Sequence, residues 1–244
     1  TIEVPRPNEV EIAMQLDWSI ARSKALVDEA AKPALRKLAV GLTRRQIESV
    51  VVEAATTKDP LTVNVLTGRR RELTARDYGE LLEFFDPTWT LADAGGSREA
   101  VAELNMLSEL LKRGDRDVPS GIILTGQNGI GKTFLAKAML GTAGITGVVL
   151  KSVQDSLLGA SERNWEKVAT ALRSAGQIGV LVDEADAQMG QRSGANIHEV
   201  SKRLFAMQMQ LMGDPTFRGK IFWILMTCRP DKLAPDVKRP GRCE

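Results

Sequence analysis

The stretch GQNGIGKT, residues 126–133, has the composition of a loop that holds phosphate groups. It fits the spacing G-x-x-x-x-G-K-[ST] and lies between an apolar run, GIIL (121–124), and a helix-forming run, KTFLAKAML (132–140). Gly126, Gly129 and Gly131 let the backbone wrap closely around a polyphosphate with its N–H groups turned inward, and the helix start adds partial positive charge. Gln127, Asn128 and Ile130 fill the other loop positions, and Phe134 follows just inside the helix. Lys132 has the reach to meet β- and γ-phosphates, and the Thr133 hydroxyl suits Mg²⁺.

A second constellation fits the first. VLVDEAD, residues 180–186, places Asp183 and Glu184 at the end of another apolar run, where carboxylates face a nucleotide in an open α/β sheet. In this reading Asp183 holds Mg²⁺, directly or through water, and Glu184 orients and activates the attacking water. Alone, an Asp-Glu pair there reads as a charge pair at a helix N-terminus. The glycine-rich loop upstream favours the chemical reading.

Positioning these residues takes strands. GIIL (121–124), GVVL (147–150), IGVLV (178–182) and KIFWILMT (220–227) are apolar on both faces, which suits central strands of a parallel sheet flanked by helices. An amphipathic helix carrying Val101, Leu104, Leu107 and Leu111 precedes them. The expected class is therefore α/β from about residue 88 onward. Residues 1–87 read instead as a small all-α domain. One helical stretch or two precede Pro33, which is expected to break the helical pattern. GLTRRQIESVVVEAA (41–55) starts with Thr43 and Gln46 as a capping box, then buries Ile47, Val50, Val51 and Ala54. ELTARDYGELLEFF (72–85) repeats the design with Thr74 and Asp77, then Tyr78, Leu81, Leu82 and Phe85 on one face. DPTWTLADAGGS (86–97) looks like a linker.

Composition narrows the field. Thirty-three Lys and Arg against thirty-one Asp and Glu give a net charge of +2, and no basic stripe or aromatic platform points to nucleic acid. The cluster Arg69–Arg71 is short and reads as a solvated turn. Cys228 and Cys243 are too few for a disulfide framework, so a reducing compartment, the cytoplasm above all, is expected. His198 is the sole histidine, which argues against zinc and histidine-based triads. No apolar run reaches membrane-spanning length.

Taken together, these residues resemble the AAA-type ATPases, the branch of the AAA+ superfamily containing FtsH, katanin and the valosin-containing protein. GQNGIGKT and VLVDEAD correspond to the family's Walker A and Walker B. TLADAGGSREAVAEL resembles its entry segment, which makes Asp93, Ala94 and Gly95 adenine-side candidates. SLLGASERNWEKV and DEADAQMGQRSG resemble the segments after the second strand and after the Walker B acids. TCRPDKLAPDVKRPGRCE is similar to the second region of homology, in which T-N-R-P-D and R-P-G-R-F-D are usual. The resemblance implies a P-loop core that binds ATP and Mg²⁺, hydrolyses ATP and assembles as a ring, hexameric in the full-length protein, to remodel a protein client.

It also implies roles outside the loop. Arg239 and Arg242 fall on the arginine-finger positions that serve a neighbour's nucleotide. Leu157 stands where the family carries the aromatic that grips substrate in the central pore. Residues 1–87 look like the lid of an upstream module whose core is absent, and 88–244 like the next large subdomain, without its own lid. A free-standing helical N-domain is the alternative for 1–87. Departures bear on mechanism. Cys228 replaces the sensor asparagine, and a thiol is a weak donor and weak acceptor. Slower hydrolysis with intact binding is expected, with Thr227 as a partial substitute, unless Cys228 is merely a small residue at a strand end. A nucleotide-binding assembly module with weak or no hydrolysis is the competing function.

Overall fold

The structure, a computed structural model, describes residues 9–39, 42–63, 65, 66, 68, 72, 79, 81–115, 117–151, 160–174, 177–189, 199–239 and 241–243. The chain divides into two compact units, Thr1–Asp77 with Arg173–Gly176, and Tyr78–Leu172 with Gln177–Glu244. The expected boundary at 87/88 lies ten residues later than the division at 77/78.

The first unit is helical: α1 (Glu9–Ser23), α2 (Lys32–Ala39) and α3 (Arg44–Thr57). The capping box forms as expected, with Gln46 N donating to Thr43 Oγ1 (3.3 Å) and Thr43 N to Gln46 Oε1 (2.8 Å). Ile47, Val50, Val51 and Ala54 face inward and meet Ile12, Leu16 and Ile20 of α1 and Leu35 of α2 in one apolar cluster. Pro33 does not break a helix but sits in the first turn of α2, where a missing N–H leaves no bond unmade. The break comes earlier, with Lys24 in a left-handed conformation (φ 52°) after α1.

The second unit holds a five-stranded sheet: β1 (Leu82–Phe85), β2 (Gly121–Thr125), β3 (Thr146–Leu150), β4 (Ile178–Val182) and β5 (Ile221–Thr227). Their order is β1-β3-β4-β5-β2, parallel except for β1, which runs antiparallel to β3. The four apolar runs thus form the parallel strands expected of them. All seven residues of β5 and all five of β4 are buried, as strands covered on both faces require. The α-helices described alongside the sheet are α4 (Arg98–Arg113), α5 (Lys132–Ala143), α6 (Ala160–Ser174, its last two residues grouped with the first unit), α7 (Ala185–Gln188) and α8 (Glu199–Met212). Leu104 and Leu111 of α4 and Ala136, Met139 and Leu140 of α5 pack with Phe222, Ile224 and Met226 of β5. A Cβ on Gly179 would stand 2.3 Å from Leu140 Cδ2, so β4 and α5 meet where glycine leaves room.

Residues 82–85 overturn the expectation of a helix over 72–85. Leu82 is buried opposite Leu150, Phe85 lies over Gly147, and Lys151 N donates to Leu81 O (3.0 Å). A short apolar run satisfies helix or strand equally, and pairing with a strand some sixty residues away decides it. Thr74, Asp77 and Tyr78 lie outside the described residues.

Candidate functional site

The phosphate loop joins β2 to α5. Gly129 and Gly131 take φ of 82° and 94°, values that a side chain strains, and Gly131 opens the twelve-residue helix from a left-handed conformation. A Cβ on Gly126 would come 2.1 Å from Ile130 Cδ1, so that glycine keeps the loop tightly folded. Lys132 spans the loop: its Nζ donates to Gly126 O (2.8 Å) and Gln127 O (2.9 Å). Gly126 N donates to Thr227 O (3.3 Å), tying the loop to the end of β5. Thr133 is the second residue of the helix, after Lys132, and Asn128 and Ile130 are exposed on the loop.

Because β5 lies between β2 and β4, the loop and the Asp183–Glu184 turn leave the sheet on either side of one strand. Two strand spacings put the roots of these turns about 10 Å apart. Asp183 and Glu184 are exposed. Asp183 Oδ1 accepts from Glu184 N (2.9 Å), and Glu184 is left-handed (φ 46°, ψ 46°) at the start of α7.

Between them the structure places a network that the motifs do not announce. Asp186, 8% exposed, accepts at Oδ1 from Thr227 Oγ1 (2.6 Å) and at Oδ2 from Arg229 Nε (2.7 Å) and Nη2 (2.6 Å). Thr227 Oγ1 in turn accepts from Arg229 N (2.9 Å). Burial pushes the Asp186 carboxyl up, but the bonds from Thr227 and Arg229, with the guanidinium charge, outweigh it and hold it below the usual carboxylate range. The same pairing raises Arg229. The Thr227 hydroxyl is thus buried, donating to Asp186 and accepting from Arg229 N. Cys228, between Thr227 and Arg229, presents an exposed thiol at the strand end. The available signal for this network was a third acid, Asp186, set between two alanines just after the Asp-Glu pair, where burial calls for a cation from elsewhere in the chain.

Asp93 is committed locally. Its Oδ2 accepts from Thr90 N (2.8 Å) and Thr90 Oγ1 (2.9 Å), which lowers its pKa, and it closes a 3₁₀ turn over Leu91–Asp93. Ala94 N closes the same turn on Leu91 O (3.2 Å), while a Cβ at Gly95 would meet nothing within 4 Å. The supposed linker is docked rather than loose. Leu91 is buried with its N–H on Thr142 Oγ1 (2.9 Å), and a Cβ on Gly141 of α5 would stand 2.0 Å from Trp89 O. The Trp89 ring lies 6.2 Å from that of Phe134, so an aromatic pair missed in the sequence flanks the first turn of α5.

The two arginines differ. Arg242 is partly buried, donates from Nη1 to Asp236 O (2.6 Å) and lies against Gly213. Arg239 is exposed, its side chain meeting the Asp236 carboxylate (3.0 Å) and its carbonyl accepting from Arg242 N (3.1 Å). Nearby, Cys243 pairs with Gly121 at the start of β2, and burial pushes its thiol up to about 12. Leu157 and His198 lie outside the described residues.

A parallel sheet with a glycine-rich loop and an acid pair on strands flanking a central one is the architecture of a P-loop nucleotide-binding domain. The chain belongs to the AAA family: the family's sequence profile, "ATPase family associated with various cellular activities (AAA)", matches residues 122–244. It is 29% identical over 167 residues to the ATP-dependent zinc metalloprotease FtsH of Cutibacterium acnes (strain SK137), covering 64% of this chain and 23% of that protein. It is 32% identical over 168 residues to the ribosome biogenesis ATPase RIX7 of Saccharomyces cerevisiae, 65% of this chain and 20% of that protein. A probable 26S proteasome regulatory subunit 10B of Caenorhabditis elegans is 32% identical over 165 residues, 63% and 40% of the two chains. The matched part thus spans between a fifth and two fifths of these relatives. Nucleotide binding comes with the family. No helix among the described residues is long and apolar enough to cross a membrane.

The donor set suits the expected ligands. Three glycines with positive φ, a lysine across the loop and a helix start fit a polyphosphate. The Thr133 hydroxyl and Asp183 carboxylate are hard oxygen donors that suit Mg²⁺. Among the described residues no cluster of three or more His, Cys, Asp or Glu could hold a metal. Mg²⁺ bound by one or two side chains and completed by phosphate and water needs none.

Proposed function

We propose that this chain is an ATP-binding and ATP-hydrolysing module that works in a ring, hexameric in the full-length protein, to remodel a protein client. The observation that carries the reading is the placement of the phosphate loop and the Asp183–Glu184 turn on the two neighbours of β5. Loop N–H groups and the start of α5 bind the phosphates, and Lys132 exchanges loop carbonyls for phosphate oxygens. Thr133 and Asp183 hold Mg²⁺, which when bound neutralises charge on those oxygens. Glu184 aligns the attacking water and draws its proton. Phe134 and the backbone of 93–95 lie on the base side. Arg239 extends into a neighbour's site, while Arg242 braces the segment that presents it.

The helical unit acts as a lid for a preceding module, the unit from residue 78 onward, which includes β1, as the next large subdomain, and the segment around Leu157 contacts the client. Two free cysteines fit a reducing intracellular compartment such as the cytoplasm. A second reading, an assembly module held together by ATP with little hydrolysis, draws on one observation. Thr227 is committed to Asp186, which leaves the Cys228 thiol to stand in for the sensor amide.

Mixing tests the ring mechanism. Arg239→Ala and Glu184→Gln should each lower steady-state ATPase about 100-fold or more. Mixed protomers should regain turnover, because the Glu184→Gln protomer supplies Arg239 to its neighbour's intact acids. No recovery in assembled mixtures would rule out an arginine acting in trans, and undiminished turnover in Glu184→Gln would remove the catalytic assignment.

A further inference from the structure

We propose that Asp186, clamped by Thr227 and Arg229, is a positioning residue that holds the Glu184 turn in its left-handed form and thereby sets hydrolysis without setting nucleotide affinity. The inference rests on Glu184 as the residue that activates water. Glutamate is a poor occupant of φ 46°, ψ 46°, and such a conformation persists only where the surroundings over-determine it. Upstream, β4 is buried throughout. Downstream, Ala185 is buried and Asp186 is held by three bonds from β5 and the turn beyond it. Met189 O accepts from Ala234 N (3.1 Å) one turn further on.

Asp186 stands two residues after Glu184 and, through Thr227 and Arg229, on both sides of Cys228. Releasing its carboxylate frees the first residues of α7, and Glu184 then relaxes toward an ordinary backbone conformation that aims its carboxylate elsewhere. The phosphate loop lies on the other side of β5 and takes its shape from glycines and Lys132. The loop's tie to the clamp runs through the Thr227 backbone carbonyl (Gly126 N, 3.3 Å) rather than through the Asp186, Thr227 or Arg229 side chains, so releasing those side chains should leave binding nearly unchanged. The Arg229 side chain is about half exposed while that of Asp186 is 2% exposed, so the arginine offers a gentler way to open the clamp.

Arg229→Gln and Asp186→Ala, each confirmed folded by thermal melting, are compared with wild type in the full chain. Two readouts are taken. Hydrogen exchange follows the Ala187, Gln188 and Met189 amides, which bond to Glu184 O and Ala185 O. Single-turnover hydrolysis is measured beside the Kd of a fluorescent ATP analogue. Exchange should rise about tenfold and hydrolysis fall about 100-fold, the scale of a small misplacement of a reacting group, with Kd changed less than about threefold. The double variant should be no slower than the slower single one, because both open the same clamp.

If Asp186→Ala does not fold, Arg229→Gln carries the test alone. Unchanged exchange overturns the clamp, as do unchanged hydrolysis with raised exchange and parallel losses of binding and hydrolysis. A wild-type protein without Glu184-dependent hydrolysis fails the functional reading instead, and exchange alone then decides whether the clamp holds the turn.

Discussion

The two halves of the site are built differently. On the β2 side, the loop is shaped by backbone: glycines in conformations other residues resist, a helix start, and one lysine folded across. On the β4 side, the acids stand on a turn shaped by side chains, with Asp186, Thr227 and Arg229 tying it to the end of β5. A backbone-built site is specified by residues adjacent in sequence. A site built by side chains needs partners that only the folded sheet brings together. Binding and hydrolysis should therefore respond to different substitutions.

The largest effect removes what the halves share. Trp223, fully buried at the centre of β5, pairs across to Gly121 and Val180. Trp223→Ala should cost about 3–5 kcal/mol by denaturant titration and impair both halves together. A loss confined to one half would break the idea of a common frame. A smaller effect separates the two arginines. Arg242→Ala, which leaves the Asp236 carbonyl without its partner, should cost about 1–3 kcal/mol, and Arg239→Ala less than about 0.5 kcal/mol. Equal losses would contradict the assignment of Arg242 as a brace and Arg239 as the exposed group.

The smallest effect concerns pH. Asp186 titrates lower folded than unfolded, so its contribution is present above the unfolded carboxylate value of about 3.9 and fades as pH falls through the folded value. The acid limb of stability should be shallower in Asp186→Asn than in wild type. An identical limb would mean that the clamp carries no linked proton.

Legibility in the sequence divides along the same line. The parallel strands could be read because both faces are buried and the runs are continuously apolar, and α3 because its capping signal and apolar stripe are local. Strand β1 could not, because LEFF fits a helical stripe until β3 lies beside it. Pro33 misled because proline serves a first helical turn as well as a break. GQNGIGKT could be recognised from eight consecutive residues, whereas Asp186 finds Thr227 and Arg229 at 41 and 43 residues' separation. Arg239 and Arg242 look alike in KRPGR, and only Gly213 and the Asp236 carbonyl tell them apart.

The most direct test sets one variant from each half side by side, Gly131→Val in the loop and Glu184→Gln on the turn, with nucleotide affinity and single-turnover hydrolysis measured on both. Gly131→Val, strained at φ 94°, should weaken binding by about 10- to 100-fold. Glu184→Gln should bind within about threefold of wild type and hydrolyse at least about 100-fold more slowly. Equal hydrolysis in Glu184→Gln and wild type, or undiminished binding in Gly131→Val, would contradict a site divided between a backbone that binds and a side-chain turn that reacts.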